Sequence, residues 1–167
     1  MGIFNKGLAA LAAIAVCAGP AQAACWSDAA YRAAQLRELD IMLMVEALRC
    51  RKTSANFVEA YNSFVVASRP ALLNANAALK SHFAQQVGER GALNAYDNYM
   101  TTVANRYGAG TEGLGCEDMA SIVQAALGAG GAADALNGIV EAAHMVPAIA
   151  QDRCTGGGML ATISATR

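Results

Sequence analysis

The feature that most constrains the fold of this 167-residue chain is the wide spacing of its cysteines. There are five of them: Cys17, Cys25, Cys50, Cys116 and Cys154. Because no two are close neighbours, the sequence lacks the Cys-x-x-Cys motif of most zinc sites, of thioredoxin-like redox sites and of covalent haem attachment. Long-range disulfide bonds are the expected use of these residues, and such bonds persist in oxidising compartments.

The N-terminal segment indicates how the chain reaches such a compartment. Lys6 is its only charge, an apolar run extends from Leu8 to Ala18, and the small-residue pattern Ala21-Gln22-Ala23 follows. This order predicts a signal peptide at residues 1–23. An apolar run of about 11 residues is too short to cross a bilayer as a stable helix. We therefore expect a periplasmic or secreted protein whose mature chain has no transmembrane segment.

Removal of the signal peptide takes Cys17 away and leaves four cysteines, which predicts two disulfides. Lipidation of Cys25 is an alternative use of the first of them, but Gln22 occupies the position where a lipoprotein signal normally has Leu.

A helix predicted over residues 28–50 restricts how the four cysteines can pair. Its ends would lie roughly 33 Å apart, whereas a disulfide needs Cα atoms within about 7 Å, so Cys25 cannot pair with Cys50. We prefer Cys50 with Cys116 and Cys25 with Cys154, because chain ends usually lie near each other. A tight antiparallel pair of the last two helices would oppose this choice, since it would bring Cys116 and Cys154 to the same end.

The size and charge of the mature chain narrow the classes of function. Removing 23 residues from 167 leaves 144, enough for one domain. Without Lys6 the chain carries 11 Lys and Arg against 13 Asp and Glu, a net charge of −2. Such a chain has no basic stripe to neutralise phosphates, so a nucleic-acid partner is not expected.

Composition and periodicity predict an all-α, single-domain bundle of about five to six helices, with the domain at 24–155 and a flexible Gly-rich tail at 156–167. Ser27 is the expected N-cap of a central first helix, and Thr53 or Ser54 that of the second. Pro70 should either begin a new helix or kink a continuing one. The remaining helices should end near Gly88 and Gly108 and break at 128–131. In the helix that ends near Gly108, the side chains expected to face the core are Leu93, Tyr96, Met100, Val103 and Tyr107.

Four polar residues lie on or beside the apolar stripes and form the candidate polar site: Glu46, Arg69, Asp97 and Arg106. Arg69, Asp97 and Arg106, together with Asn76, could build an internal network or line a small cleft. Glu46 is the only charge between Ile41 and Leu48, and we expect it to pair with Arg49 or to face a polar groove.

The most favoured function is a non-enzymatic module that binds or scaffolds an envelope protein or small ligand, with no catalytic residue, metal or cofactor. One alternative is a hydrolase-like envelope enzyme that uses Glu46 with partners from other helices. Another is a bundle that binds a metal or haem through His144 and methionines. The methionines considered for it are Met42, Met44, Met100, Met119 and Met145.

Three segments carry a resemblance to known proteins: Ala-Cys-Trp at 24–26, Met-Leu-Met-Val-Glu-Ala-Leu-Arg-Cys-Arg at 42–51 and Ala-Asn-Arg-Tyr-Gly at 104–108. Through them the chain resembles small exported bacterial helical proteins of unassigned function. The resemblance implies export and no particular activity.

Overall fold

The structure, a computed structural model, describes residues 25–149 and 153–154. Within these residues the regular elements are five α-helices: α1 (Asp28–Cys50), α2 (Val58–Val87), α3 (Glu89–Tyr107), α4 (Cys116–Gly128) and α5 (Ala133–Ala142). The all-α prediction is therefore confirmed. The predicted signal peptide at 1–23 and the predicted tail at 156–167 lie outside the described residues, so both stay predictions.

Helix α1 is the central element, as the sequence predicted. It begins where expected, because the Ser27 hydroxyl oxygen accepts the backbone N–H of Ala30 at 3.2 Å. The other four helices all pack against it. Its buried positions include apolar residues on both sides and also three acidic ones: Glu38, Asp40 and Glu46.

Helices α2 and α3 form an antiparallel hairpin against α1. The predicted start of α2 at Thr53 or Ser54 is wrong, because the Thr53 hydroxyl donates to the Cys50 carbonyl at 2.8 Å and closes the end of α1. Helix α2 begins at Val58, whose N–H is bound by the Asn56 side chain at 3.1 Å. Pro70 lies inside this one continuous helix.

The core face of α3 differs from the predicted stripe. Its buried side chains are Ala92, Tyr96, Tyr99, Val103 and Tyr107. Leu93 is 58% exposed and Met100 is only partly buried. The buried face of α3 is therefore rotated towards Tyr99 relative to the predicted stripe. The hydroxyls of Tyr99 and Tyr107 then both point towards α1.

Both disulfides have the preferred pairing. Cys25 is bonded to Cys154 and Cys50 to Cys116, with Cα–Cα distances of 4.9 and 5.7 Å. The last two helices were expected to oppose this pairing by bringing Cys116 and Cys154 to the same end. They do not, because Cys154 does not follow α5 directly. A non-helical segment, residues 143–149, separates that helix from the return to Trp26, where the Cys154 N–H donates to the Trp26 carbonyl at 2.8 Å.

Trp26 fixes the N-terminal end of the described chain in the core. It is 2% exposed and packs against the rings of His82, Phe83 and Tyr99 at centroid distances of 4.1–5.8 Å. None of the described helices is both long and apolar enough to cross a membrane.

The turn between α4 and α5 depends on Gly131. This glycine has φ +79°, and a Cβ there would overlap the carbonyl oxygen of Ala67 in α2. Gly138 contrasts with it, because it lies in α5 with open space around the position of a Cβ.

We expect Gly131→Ala to lower the free energy of unfolding by about 2 kcal/mol, through left-handed strain and the clash with backbone. Gly138→Ala is the matched control and should raise it by roughly 0.5–1 kcal/mol, since alanine favours a helix interior. Urea denaturation of both variants measures the two changes. Equal effects of the two substitutions would contradict the close approach at Gly131.

Candidate functional site

Two adjoining cavities lie where α1 and α3 end. The smaller has a volume of about 440 Å³ and is lined by Glu46, Arg49 and loop residues 109–112 and 114–116. The larger, of about 590 Å³, adds Met42 and residues 106–107 and 143–146. Both include the loop residues Gly110, Thr111, Glu112 and Leu114, so they form one groove open to solvent, which we call the loop cleft.

Glu46 anchors the loop at the smaller end of the loop cleft. Its carboxylate is buried, with Oε2 3.3 Å from Arg49 Nε and Oε1 accepting the Thr111 hydroxyl at 3.0 Å. Arg49 in turn donates from Nη1 to the Gly108 carbonyl at 3.0 Å. The expected pairing with Arg49 is present. Because both carboxylate oxygens are engaged, the arrangement favours an anchoring role for Glu46.

A second buried carboxylate, Glu38, lies behind the larger end of the loop cleft and was not singled out from the sequence. It is 1% exposed. Its Oε1 accepts the Tyr99 hydroxyl at 3.2 Å and the backbone N–H of Ala148. Its Oε2 accepts the Tyr107 hydroxyl at 3.1 Å and lies 3.5 Å from Arg106 Nη1. Four donors from α3 and from the segment after α5 thus converge on one side chain of α1.

Glu38 and the four donors around it form a cluster, and burial has the largest effect on the pKa values of its carboxyl and tyrosine groups. Burial raises the pKa of Glu38 above its usual value, although the Ala148 N–H, the charge of Arg106 and the two tyrosine hydroxyls each act to lower it. Burial, followed by the charge of Glu38, raises the pKa of Tyr99 and of Tyr107. Both hydroxyls therefore stay protonated and remain hydrogen-bond donors.

Arg106 connects the cluster to the rim of the loop cleft. Its side chain is 45% exposed, and Nη1 donates to the Val146 carbonyl at 2.8 Å while it also faces Glu38. This contact holds residues 143–149 against the end of α3. Arg106 and Tyr107 are consecutive wall residues of the cleft, and both are positioned by Glu38.

The structure does not bring the four predicted polar residues together. Glu46 and Arg106 line the two adjoining cavities. Arg69 and Asp97 are exposed on α2 and α3, and neither forms an ion pair with another described residue. The buried acidic group on the α2 side is instead Asp40, which pairs with Arg37 at 2.5 Å and accepts the Tyr61 hydroxyl at 3.1 Å. Burial raises the pKa of Asp40.

The histidines and methionines of the metal hypothesis are divided between core and cleft. Met119 is fully buried in the core, and Met44 and Met100 pack against it. Met42 is also fully buried in the core and only borders the larger cavity, whereas His144 and Met145 line it with at least partly exposed side chains. The other histidine, His82, is stacked on Trp26, and burial lowers its pKa.

His144 has the only positive φ of any described non-glycine residue, +53°. The hydrogen bonds around it are those of a Schellman motif: the Met145 N–H donates to the Val140 carbonyl at 3.0 Å and the His144 N–H to the Glu141 carbonyl at 3.1 Å. Glycine is the usual residue at this position, and another residue costs about 1 kcal/mol there. The exposed His144 side chain lies at the rim of the loop cleft.

No protein-family model, curated protein or solved structure matches this chain.

The raised pKa of Glu38 gives a pH-dependent prediction for Glu38→Gln. The unfolded carboxyl titrates near 4.5 and the folded one above it, so its contribution to stability is complete below pH 4.5 and is lost as pH rises through the folded pKa. The unfolding free energy of the parent minus that of Glu38→Gln should therefore fall between pH 4 and neutrality. The fall is about 1.4 kcal/mol for each pH unit by which the folded pKa exceeds the unfolded one.

Urea denaturation across this pH range measures the difference. Asp40 is present in both proteins, so its titration cancels. Met119→Leu, a buried change without a titratable group, is the control and should give a difference that does not vary with pH. A difference for Glu38→Gln that rises with pH would mean that Arg106 and the hydrogen bonds outweigh burial.

Proposed function

We propose that this protein is an exported, non-enzymatic binding module that holds a partly apolar ligand, or an apolar segment of another envelope component, in the loop cleft. The observation that carries this proposal is the combination of an apolar wall and exposed apolar rim residues in one preformed groove. Tyr107 and Met145 contribute to the wall, and Leu114 and Val146 on the rim are 37% and 62% exposed.

Polar groups placed around this apolar surface are the second support. Arg106, Glu112 and His144 line the same cavity, so a bound molecule would meet apolar side chains and a few groups able to fix its orientation. In ligand sites, a few polar groups among apolar side chains fix the orientation of the bound molecule. Exposed apolar residues that border a concave surface are also typical of binding surfaces.

The loop cleft is held in shape from both ends, which favours binding. Glu46 and Arg49 fix the loop at one end, while Arg106 and Glu38 fix residues 143–149 at the other. A preorganised groove loses little conformational entropy when it binds a ligand.

The roles of the two carboxylates favour binding over catalysis. Glu38 and Glu46 are both buried, and every carboxylate oxygen accepts a hydrogen bond or faces an arginine. A general base needs an oxygen within reach of a substrate proton. These two side chains instead support the walls to which a ligand would bind.

Export is supported by the predicted signal peptide together with the two disulfides, which are characteristic of oxidising compartments. The envelope is therefore the place where a ligand should be sought.

Photocrosslinking in the producing cells tests the proposal. A benzoyl-phenylalanine at Val146 should form a defined adduct, whereas the same group at Val66 should not. Val66 is a suitable control because it is 76% exposed on α2 and does not line the loop cleft. Mass spectrometry of the adduct gives the chemical class of the ligand.

A second substitution tests whether the adduct depends on the cleft itself. Ala143 lines the larger cavity, so Ala143→Trp should fill it and abolish the Val146 adduct while the melting temperature shows that the protein remains folded. Equal adducts at Val66 and Val146, or an adduct that survives Ala143→Trp, would contradict the proposal.

A further inference from the structure

We propose that the Cys25–Cys154 disulfide is a redox-sensitive latch, whose reduction by a dithiol lets residues 143–149 leave the body of the protein and opens the larger end of the loop cleft. The Cys50–Cys116 bond stays intact and keeps α1 joined to α4. The opening itself does not depend on the proposed binding function. Only its consequence, the release of a molecule held in the cleft, rests on that function.

The two disulfides differ in how well solvent reaches them. Cys25 and Cys154 are both exposed, whereas Cys50 is 0% exposed and Cys116 is only partly exposed. A disulfide is reduced when a thiolate attacks one of its sulfurs, so access to the bond controls the rate. Exposed disulfides are also the ones that are most often labile or regulatory. The latch is therefore the bond that a dithiol should reduce first.

The reaction is thiol–disulfide exchange. One thiolate of the dithiol attacks the sulfur of Cys25 or Cys154, the bond between the two cysteine sulfurs breaks, and the departing thiolate takes up a proton. The second thiol of the dithiol loses its proton and attacks the mixed disulfide, and the other cysteine leaves and is protonated in turn. The dithiol gives up two electrons and becomes a disulfide, and the protein gains two thiols.

Residues 143–149 have few contacts that would hold them in place without the latch. They contain no helix or strand, and only one of them is buried. Their hydrogen bonds to α1 and α3 are those of the Ala148 N–H to Glu38 and of the Val146 carbonyl to Arg106. Segments with few buried apolar contacts are the ones that open locally while the rest of a protein stays folded.

The non-covalent contacts beside the latch are weak substitutes for it. The Cys154 N–H donates to the Trp26 carbonyl at 2.8 Å. Arg153 pairs with Asp28 at 2.7 Å and lies 4.2 Å from the centre of the Tyr31 ring, but the two charged side chains are 49% and 76% exposed. Exposed ion pairs and cation–π contacts contribute little to stability. The disulfide is thus the main constraint that keeps this end of the chain at the start of α1.

Opening of this segment removes one side of the loop cleft. Residues 143–146 line the larger cavity opposite Arg106 and Tyr107, so the groove loses its concave shape when they leave. Glu38 then loses the Ala148 N–H but keeps Arg106 and two tyrosine hydroxyls as partners. Because its carboxylate is not left unpaired, the opening can stay local.

Limited reduction of the full chain tests which bond reacts first. The oxidised protein, carrying Cys17→Ser so that no free thiol remains, is treated with graded dithiothreitol and then with N-ethylmaleimide. We expect labels at Cys25 and Cys154 to appear about tenfold faster or more than labels at Cys50 and Cys116. Peptide mass spectrometry measures both rates in the same molecule, so the Cys50–Cys116 bond is the internal control.

Amide hydrogen exchange measures the opening without any ligand. After selective reduction, the Ala148 N–H should exchange about thirtyfold faster or more, because the constraint of a long-range disulfide is lost. Amides in the middle of α2 and α3 should exchange at unchanged rates, which would show that the body of the protein remains folded.

A double variant separates the bond from the reductant. Cys25→Ser combined with Cys154→Ser should show the faster exchange at Ala148 without dithiothreitol and no further change when it is added. In this variant the Val146 photocrosslink should fall by about tenfold or more, since the wall that carries it has left the cleft.

The latch is contradicted if both disulfides are reduced at the same rate or if the reduced protein exchanges the Ala148 N–H as the oxidised one does. It is also contradicted if exchange in α2 and α3 rises equally, because the bond would then staple the whole fold. Absence of the Val146 adduct from the oxidised parent would instead contradict the proposed function and would leave the exchange result unaffected.

Discussion

The carboxylate of Glu38 imposes the constraint on which the loop cleft depends. A carboxyl group with 1% exposure must be supplied with hydrogen-bond donors, because an unpaired buried charge costs several kcal/mol. Here the donors come from Tyr99, Tyr107 and Arg106 on α3 and from the Ala148 backbone. The same contacts that satisfy the carboxylate therefore fix the end of α3 and the segment after α5 against α1, and these elements form the wall and rim of the cleft.

The two disulfides constrain the same region covalently. The Cys50–Cys116 bond joins the end of α1 to the start of α4, so the loop between α3 and α4 is fixed at its far end. The Cys25–Cys154 bond returns the chain after α5 to the start of α1. Each closes a long stretch of sequence, with an expected stabilisation on the order of 2–4 kcal/mol. A bundle of this size can then maintain an open groove at one end without a larger core.

The sequence predicted the all-α class and the cap at Ser27 from local periodicity and capping preference, and the reach of a helix excluded a bond between Cys25 and Cys50. The choice between the two remaining pairings came instead from the expectation that chain ends lie near each other. The sequence predicted Glu46 because this residue is the only charge in an apolar run. The sequence did not indicate that Glu38 is buried, because its charged neighbours Arg37 and Asp40 are typical of an exposed helix face. The usable signal was the four-residue spacing of Glu38, Met42 and Glu46, which places all three on one side of α1. Its partners on α3 come from tertiary packing, which single-sequence periodicity does not specify.

The end of α5 shows how local stability and site geometry oppose each other in this fold. A glycine at residue 144 would complete the Schellman motif without strain. Histidine at that position lowers the stability of the fold by about 1 kcal/mol. The loss is small against the stabilisation expected from the Cys25–Cys154 bond, which constrains the same end of the chain. Local rules of sequence preference are most often broken where a side chain serves a site. The stapled C-terminal segment can therefore tolerate an unfavourable backbone conformation that directs an imidazole to the cleft rim.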